Sequence, residues 1–300
     1  MRSDVLNKNS SAYDGKTRAE TIFDWNYIDC PAPIVSNLGV SAHGVMAEGD
    51  KYSMIFPGSN GQLFPAACCN IGVYTATATS PGTVTGTVPA VDTASTAAGL
   101  NLQTDNETAD NVGVEMVLGG SQMGSPGNKI VVGTHSASFD CTMFSADYTD
   151  FDCAIIGFRK VQEFAPGHGD ILAAASGDPL YTDFVAYGVQ SADDIQLASD
   201  LNNSGSGTFT DSTEATANSQ NLRLRIDVSS AGVVTFKHEI NGVMGAGTLA
   251  APSTTMSYTF DSGDVIVPYI FVQGVNQDSA HLLKQAIVKR SPALDGFSAA

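Results

Sequence analysis

The stretch Leu222–Ile240, LRLRIDVSSAGVVTFKHEI, constrains the fold more than any other part of the chain. Leu222, Leu224, Ile226 and Val228 fall on one side of an extended backbone, and Arg223, Arg225 and Asp227 fall on the other. That period of two predicts a strand with one face buried and one solvated. Ser229 to Gly232 reads as a turn, and Val233–Ile240 returns as the second strand. Asn241-Gly242 follows at once, the strongest short hairpin signal in the sequence. A hairpin like this must lie in a larger sheet to be stable.

Other short segments supply that sheet. Ser138–Val161 predicts two buried strands, Ser138–Phe144 and Cys153–Val161, joined by the acidic turn Asp147, Tyr148, Thr149, Asp150 and Asp152, with Arg159 and Lys160 at the solvated end. Gly113–Leu118, Lys129–Gly133, Thr182–Val189, Ile195–Ala198, Ser257–Phe260, Val265–Gln273 and His281–Val288 add further strands. LNNSGSGTFTDSTEATANSQ reads as a long polar loop. About ten to twelve closely spaced strands, with no helical periodicity beyond two turns, predict an all-β antiparallel β-sandwich. The composition agrees, because Gly, Ser, Thr, Ala, Asn and Val dominate and charged residues make up only 15%.

Four regions follow from the pattern. Residues 1–22 are polar and basic and predict an extended N-terminal arm that orders against a partner. Residues 23–94 form a small β-rich region opened by FDWNYIDCPAPIV, with the single Trp25 beside Tyr27 and prolines that end the segment. Its short pieces are Lys51–Phe56, Gln62–Phe64, Asn70–Ala78 and Thr83–Val91. Residues 95–290 carry the sandwich, and 291–300 form a C-terminal tail.

The formal net charge is −17, from 31 acidic against 14 basic side chains. Such a surface repels nucleic acid, whose binding rests on phosphate neutralisation by Lys and Arg. Four of the 14 basic residues, Arg2, Lys8, Lys16 and Arg18, nevertheless lie in the first 18 positions. Five cysteines at irregular spacing make no disulfide framework. The first residues lack the apolar core of a secretory signal, and no window approaches the ~18 apolar residues of a membrane span. The expectation is synthesis in a cytoplasm with no membrane contact.

Several phrases coincide: TDNETADNVGVEMVLGG, SFDCTMFSADYTDFDCAIIGFRKV, LRLRIDVSSAGVVTFKHEINGV and YTFDSGDVIVPYIFVQ. Together they resemble the concanavalin-like (lectin/glucanase-type) jelly-roll virion structural proteins of tailed, often marine, bacteriophages. The resemblance covers about residues 95–290 and implies a jelly-roll sandwich in a structural or capsid-decorating component.

Catalytic patterns are missing. Glycoside hydrolysis needs a close pair of carboxylates, ~5–5.5 Å apart for retention, whereas Glu115, Glu163 and Glu239 each stand alone in the sequence. His238-Glu239 lacks the second His of a zinc motif. Asp105, Asn106, Glu107, Asp110 and Asn111 offer oxygen ligands without the calcium-loop order, and read as a solvated loop. No nucleophile elbow and no phosphate-binding loop occurs. No enzyme activity and no cofactor are expected.

The function expected is that of a capsid decoration (cement) protein on the outer capsid surface of a virion. Its partners would be the major capsid protein and neighbouring copies of itself in a homo-oligomer. The contacts would come from Arg2, Lys8, Tyr13, Lys16, Arg18, Trp25 and Tyr27. The alternative is a glycan- or receptor-binding module of a tail or head fibre, with Tyr181, Tyr187, Asn202 and Asn203 exposed to a surface glycan. The shell protein itself is disfavoured by the acidity.

Overall fold

The computed structural model describes residues 20–26, 55–57, 63–65, 69–74, 91–92, 99–101, 113–118, 130–150, 153–161, 172, 181–190, 194–202, 207–241, 248–273 and 281–292, with side-chain detail from residue 130 onward. The early strands are β1 (Glu20–Asn26), β2 (Ile55–Pro57), β3 (Leu63–Pro65), β4 (Cys69–Tyr74), β5 (Val91–Asp92), β6 (Gly99–Asn101) and β7 (Gly113–Leu118). Next come β8 (Ile130–Val131), β9 (His135–Ser145), β10 (Cys153–Lys160), β11 (Phe184–Gln190) and β12 (Asp194–Asp200). The last are β13 (Thr208–Ala215), β14 (Gln220–Val228), β15 (Val234–Ile240), β16 (Val265–Gln273) and β17 (His281–Pro292). A single 3-10 turn at Tyr148–Asp150 is the one other regular element among the described residues.

The strands form two antiparallel sheets, as the alternating pattern predicts. The seven-stranded sheet has the order β15-β14-β9-β17-β6-β5, with β1 also on β17; the eight-stranded sheet has the order β13-β12-β11-β10-β16-β7-β4, with β8 also on β16. β2 and β3 pair with each other alone. The inner faces meet in one core. Phe139, Cys141 and Met143 of β9 and Leu222, Leu224 and Ile226 of β14 face Ile156 and Phe158 of β10 and Tyr187 of β11. Phe139 meets Phe158 edge-on at 6.1 Å, and Tyr187 meets Phe236 at 5.4 Å. Each large side chain sealed in this layer contributes about 1.5–3 kcal/mol of burial.

The two strands of Ser138–Val161 do not form a hairpin. β9 pairs with β14 and β17 at the centre of one sheet, and β10 pairs with β11 and β16 at the centre of the other. The acidic segment between them crosses the sandwich, a step of about 10 Å. Tyr148 anchors the crossing: it is buried, its N–H donates to Asn218 Oδ1 at 2.9 Å, and its hydroxyl donates to the Gln220 carbonyl at 3.0 Å. Cys141 and Cys153 therefore sit in opposite sheets as buried thiols that form no disulfide with each other.

β10 is buried on both faces, which overturns the solvated placement of Arg159. Outside the eight-stranded sheet, Cys153, Ile155, Tyr181, Phe184, Val267 and Tyr269 belong to a second apolar cluster. Arg159 is 0% exposed beneath it. Its guanidinium carbon stands 4.2 Å from the centre of the Tyr181 ring and 5.9 Å from that of Tyr269, and Nη1 donates to the Lys160 carbonyl. Lys160 reaches less buried ground, 2.7 Å from Asp264. Gly157 exists for the same packing. A Cβ there would lie 2.4 Å from the Val185 carbonyl oxygen and 2.7 Å from the Tyr269 ring.

The stretch read as a polar loop contains β13, the outer strand of the eight-stranded sheet. A strap, residues 248–260, closes this side of the sandwich by touching both sheets. Ala250 bridges His238 of β15, Thr254 N–H donates to the Ser212 carbonyl of β13, and Thr259 bridges Val233. At the opposite side, strands from residues 23–94 share sheets with those from 95–290: β4 pairs with β7, and β5 with β6. β1 pairs with β17 from Glu20↔Arg290 to Asn26↔Gln285.

Candidate binding groove on the seven-stranded sheet

The outer face of the seven-stranded sheet carries a grid of polar side chains fixed by strand register. One rung runs Glu239, Arg223, Thr142, Gln285; the next Lys237, Arg225, Asp140, Ile287; the third Thr235, Asp227, Ser138, Lys289. In register with these on β1 stand Asn26, Asp24 and Thr21. The alternation that buries Leu222, Leu224 and Ile226 is what turns Arg223 and Arg225 to this side.

Between the rungs lies a groove of about 190 Å3, lined by Ser138, Asp140, Arg223, Arg225, Gln285, Ile287 and Lys289. Arg223 grips Asp140 with two hydrogen bonds, Nε to Oδ1 at 2.8 Å and Nη2 to Oδ2 at 2.5 Å, and approaches Glu239 at 3.6 Å. The Asp140 pair holds the Arg223 guanidinium above its ordinary pKa. Arg225 Nε donates to Asp227 Oδ1 at 2.8 Å, and Lys237 Nζ stands 3.3 Å from Asp227 Oδ2. Both oxygens of Asp140 and both of Asp227 thus already face a cation. Lys289 is exposed at the rim. Farther along β17, Lys284 Nζ lies 4.7 Å over the Phe144 ring, and burial lowers its pKa. Rigid strands, fork-shaped donors and one apolar residue suit the groove to hold a small polar ligand.

The residues proposed from sequence for a glycan are placed differently. Tyr181 is 1% and Tyr187 0% exposed, so neither can face a ligand. Tyr181 stacks on Arg159, and the Tyr187 hydroxyl bonds His238 Nδ1 at 2.9 Å inside the core. Asn202 is exposed with φ 57°, its N–H donating to Asp183 Oδ1. Asn203 lies outside the described residues, as do Arg2, Lys8, Tyr13, Lys16, Arg18, Tyr27 and the Asp105–Asn111 cluster. Trp25 lies on β1, in register with the buried Ala286. The Arg223-Arg225-Asp227 face was visible in the alternation, but Ser138, Asp140, Gln285 and Lys289 join it only through strand register, which no sequence signal supplied.

Two buried polar pairs also escape sequence reading. Ser145 Oγ and His281 Nδ1 lie 2.8 Å apart across 136 residues, and both side chains are 0% exposed. Ser145 Oγ accepts the Asp147 N–H, so the pair fixes the crossing turn, and its burial keeps a substrate from the hydroxyl. The second is a chain of contacts from core to surface. Tyr187 bonds His238, His238 Nε2 stands 3.8 Å from Glu214 Oε2, and Glu214 accepts from Ser253 N–H at 3.0 Å and Ser253 Oγ at 2.5 Å. Burial lowers the His238 pKa, with Glu214 opposing. Glu239 has Arg223 beside it at 3.6 Å. Among the described residues no three His, Cys, Asp or Glu side chains converge as a metal site.

No family model matches the chain, and no curated protein matches it. Among solved structures it is similar to peanut lectin with a nine-residue peptide, at 11% identity and TM-score 0.46, covering 80% of this chain and 97% of the lectin. It is also similar to lectin II from Ulex europaeus, at 12% identity and TM-score 0.44, covering 74% and 92%. A third is the exoplasmic/lumenal domain of VIP36 in its Ca2+/Man3GlcNAc-bound form, at 6% identity and TM-score 0.44, covering 77% and 86%. At these identities the likeness is one of chain path, and it assigns no residue of the groove a role.

Proposed function

We propose that this chain is a virion structural protein of the capsid-decorating kind, a β-sandwich held on the outer face of a shell by its N-terminal segment. The observation that supports it most is the pairing of β1 with β17. The first strand after the basic segment is built into the sandwich, so whatever residues 1–18 grip is tied mechanically to the whole sheet. The sequence resemblance to phage virion proteins points the same way, and an acidic outer surface keeps exposed particles apart. Arg2, Lys8, Tyr13, Lys16 and Arg18 would lie across the major capsid protein or a neighbouring copy, gaining affinity from a long contact that offsets the cost of ordering.

The test is a truncation that spares β1. A chain lacking residues 1–18 should keep the melting temperature of the full protein and fail to load onto particles. Normal loading of the truncated chain would overturn the arm as the attachment element.

A second reading, a saccharide-binding module, is favoured by one observation: the groove of Ser138, Asp140, Arg223, Arg225, Gln285, Ile287 and Lys289, which offers hydrogen-bonding groups around an apolar residue. A glycan array probed with the full chain tests it, and an array without hits would remove it.

A further inference from the structure

We infer that the groove on the seven-stranded sheet is a subsite for one carboxylated sugar unit, such as a uronic acid. This rests on the saccharide reading above and names its ligand class.

The first ground is the imbalance between donors and acceptors. The acceptors of the groove are engaged: Asp140 is gripped by Arg223 through both oxygens, and Asp227 faces Arg225 and Lys237. The strongest donors are not. Arg225 commits only Nε to Asp227, which leaves its two terminal nitrogens without a partner among the described residues. Lys289, exposed at the rim in register with Ser138, also has no ion-pair partner among them. A site whose remaining capacity is mostly cationic donor selects an acceptor-rich ligand, and a carboxylate accepts from such donors more strongly than a neutral hydroxyl does.

The second ground is the shape. The groove's volume of about 190 Å3 is smaller than the ~300–1,000 Å3 of ordinary ligand pockets, which limits it to about one ring. Ile287 provides an apolar contact for the C–H face of that ring, and Ser138 and Gln285 flank it with hydroxyl and amide groups for ring hydroxyls. The carboxylate would lie toward Arg225 and Lys289. An acidic peptide would satisfy the two cations but would leave the Ile287 contact and the flanking hydroxyl and amide groups without a matched partner, so the sugar is favoured.

The experiment titrates the full chain with galacturonate, glucuronate, galactose, glucose and N-acetyl-glutamate, reading amide chemical-shift changes and affinity at low and high salt. The uronates should bind about tenfold more tightly than the neutral sugars, by the charge-assisted contacts, and lose that margin as salt rises. Lys289→Gln, at an exposed side chain that leaves the core untouched, should remove most of the uronates' margin over the neutral sugars. Equal binding of neutral and carboxylated sugars would overturn the inference and leave the saccharide reading standing. Binding of N-acetyl-glutamate as tight as that of the uronates would overturn it in favour of an acidic protein partner. No binding of any sugar would overturn both.

Discussion

His238 and Arg159 show how much of this molecule depends on single buried polar side chains. His238 joins the sheets through Tyr187 and leans on Glu214, and burial holds its pKa below the ordinary histidine value. The unfolded chain therefore binds a proton more readily at this residue than the folded one. The stability this residue contributes is complete above the unfolded pKa of about 6.5 and declines as pH falls below it toward the lower folded value. The melting temperature of the wild type should lose more than that of His238→Gln between pH 7.5 and 5.5, and identical losses would contradict the assignment. Arg159→Ala should cost about 3–5 kcal/mol in urea unfolding, because it empties a packed site under Tyr181 and Tyr269 and leaves the Lys160 carbonyl without its donor. Arg159→Met should cost less, since it refills the space without a charge to desolvate. Neither role was legible. Arg159 followed by Lys160 at the end of an apolar run looks like a solvated terminus, and only the cluster of Tyr181, Phe184 and Tyr269 over the sheet shows that it is not.

At the scale of elements, the sequence was most informative where apolar residues run or alternate along a whole strand. Gly113–Leu118 and Val265–Gln273 match β7 and β16 in full, and the Leu222–Val228 alternation matches the faces of β14. It failed at β13, where TFTDSTEA has a single buried position, Ser212, and so carries no hydrophobic period at all. That outer strand is also irregular. Its pairing shifts between Asp194 and Gln196, and Thr213 adopts φ 61°, a left-handed conformation that is costly for a β-branched residue. Thr213→Gly should raise stability by about 0.5–1 kcal/mol if relief of this strain outweighs the added freedom of the unfolded chain, read as a shift of the urea midpoint. A midpoint that falls would show that the added freedom of the unfolded chain exceeds the strain at Thr213. Gly188→Ala should do the reverse, because a Cβ there would sit 2.0 Å from the Ala154 carbonyl oxygen and push β11 off β10. A loss of about 1–3 kcal/mol is expected from such overpacking. Which strands pair was the least legible feature. β9 and β10 follow each other in sequence yet lie in opposite sheets, because Tyr148 and the buried Ser145–His281 pair hold the segment between them across the end of the sandwich.

On the scale of the whole molecule, the proposed role is one of attachment and display. The charge of −17 sits on a chain whose basic residues concentrate in two places, the first 18 positions and the seven-stranded sheet. β1 connects them, running along β17 beside the groove. A sandwich stitched in this way can be gripped at its N-terminal segment while its sheet face stays available to a ligand. The sandwich was readable from alternation and turn signals; the groove was not, because it is assembled from β9, β14 and β17, which are far apart in sequence. A density map of purified particles, combined with the copy number of the chain per particle, tests the proposal that this chain decorates a capsid. The expected result is sandwich density on the outer shell, at a copy number set by capsid symmetry, with residues 1–18 lying on the major capsid protein. Density confined to the tail or a fibre, in a few copies per particle, would contradict it.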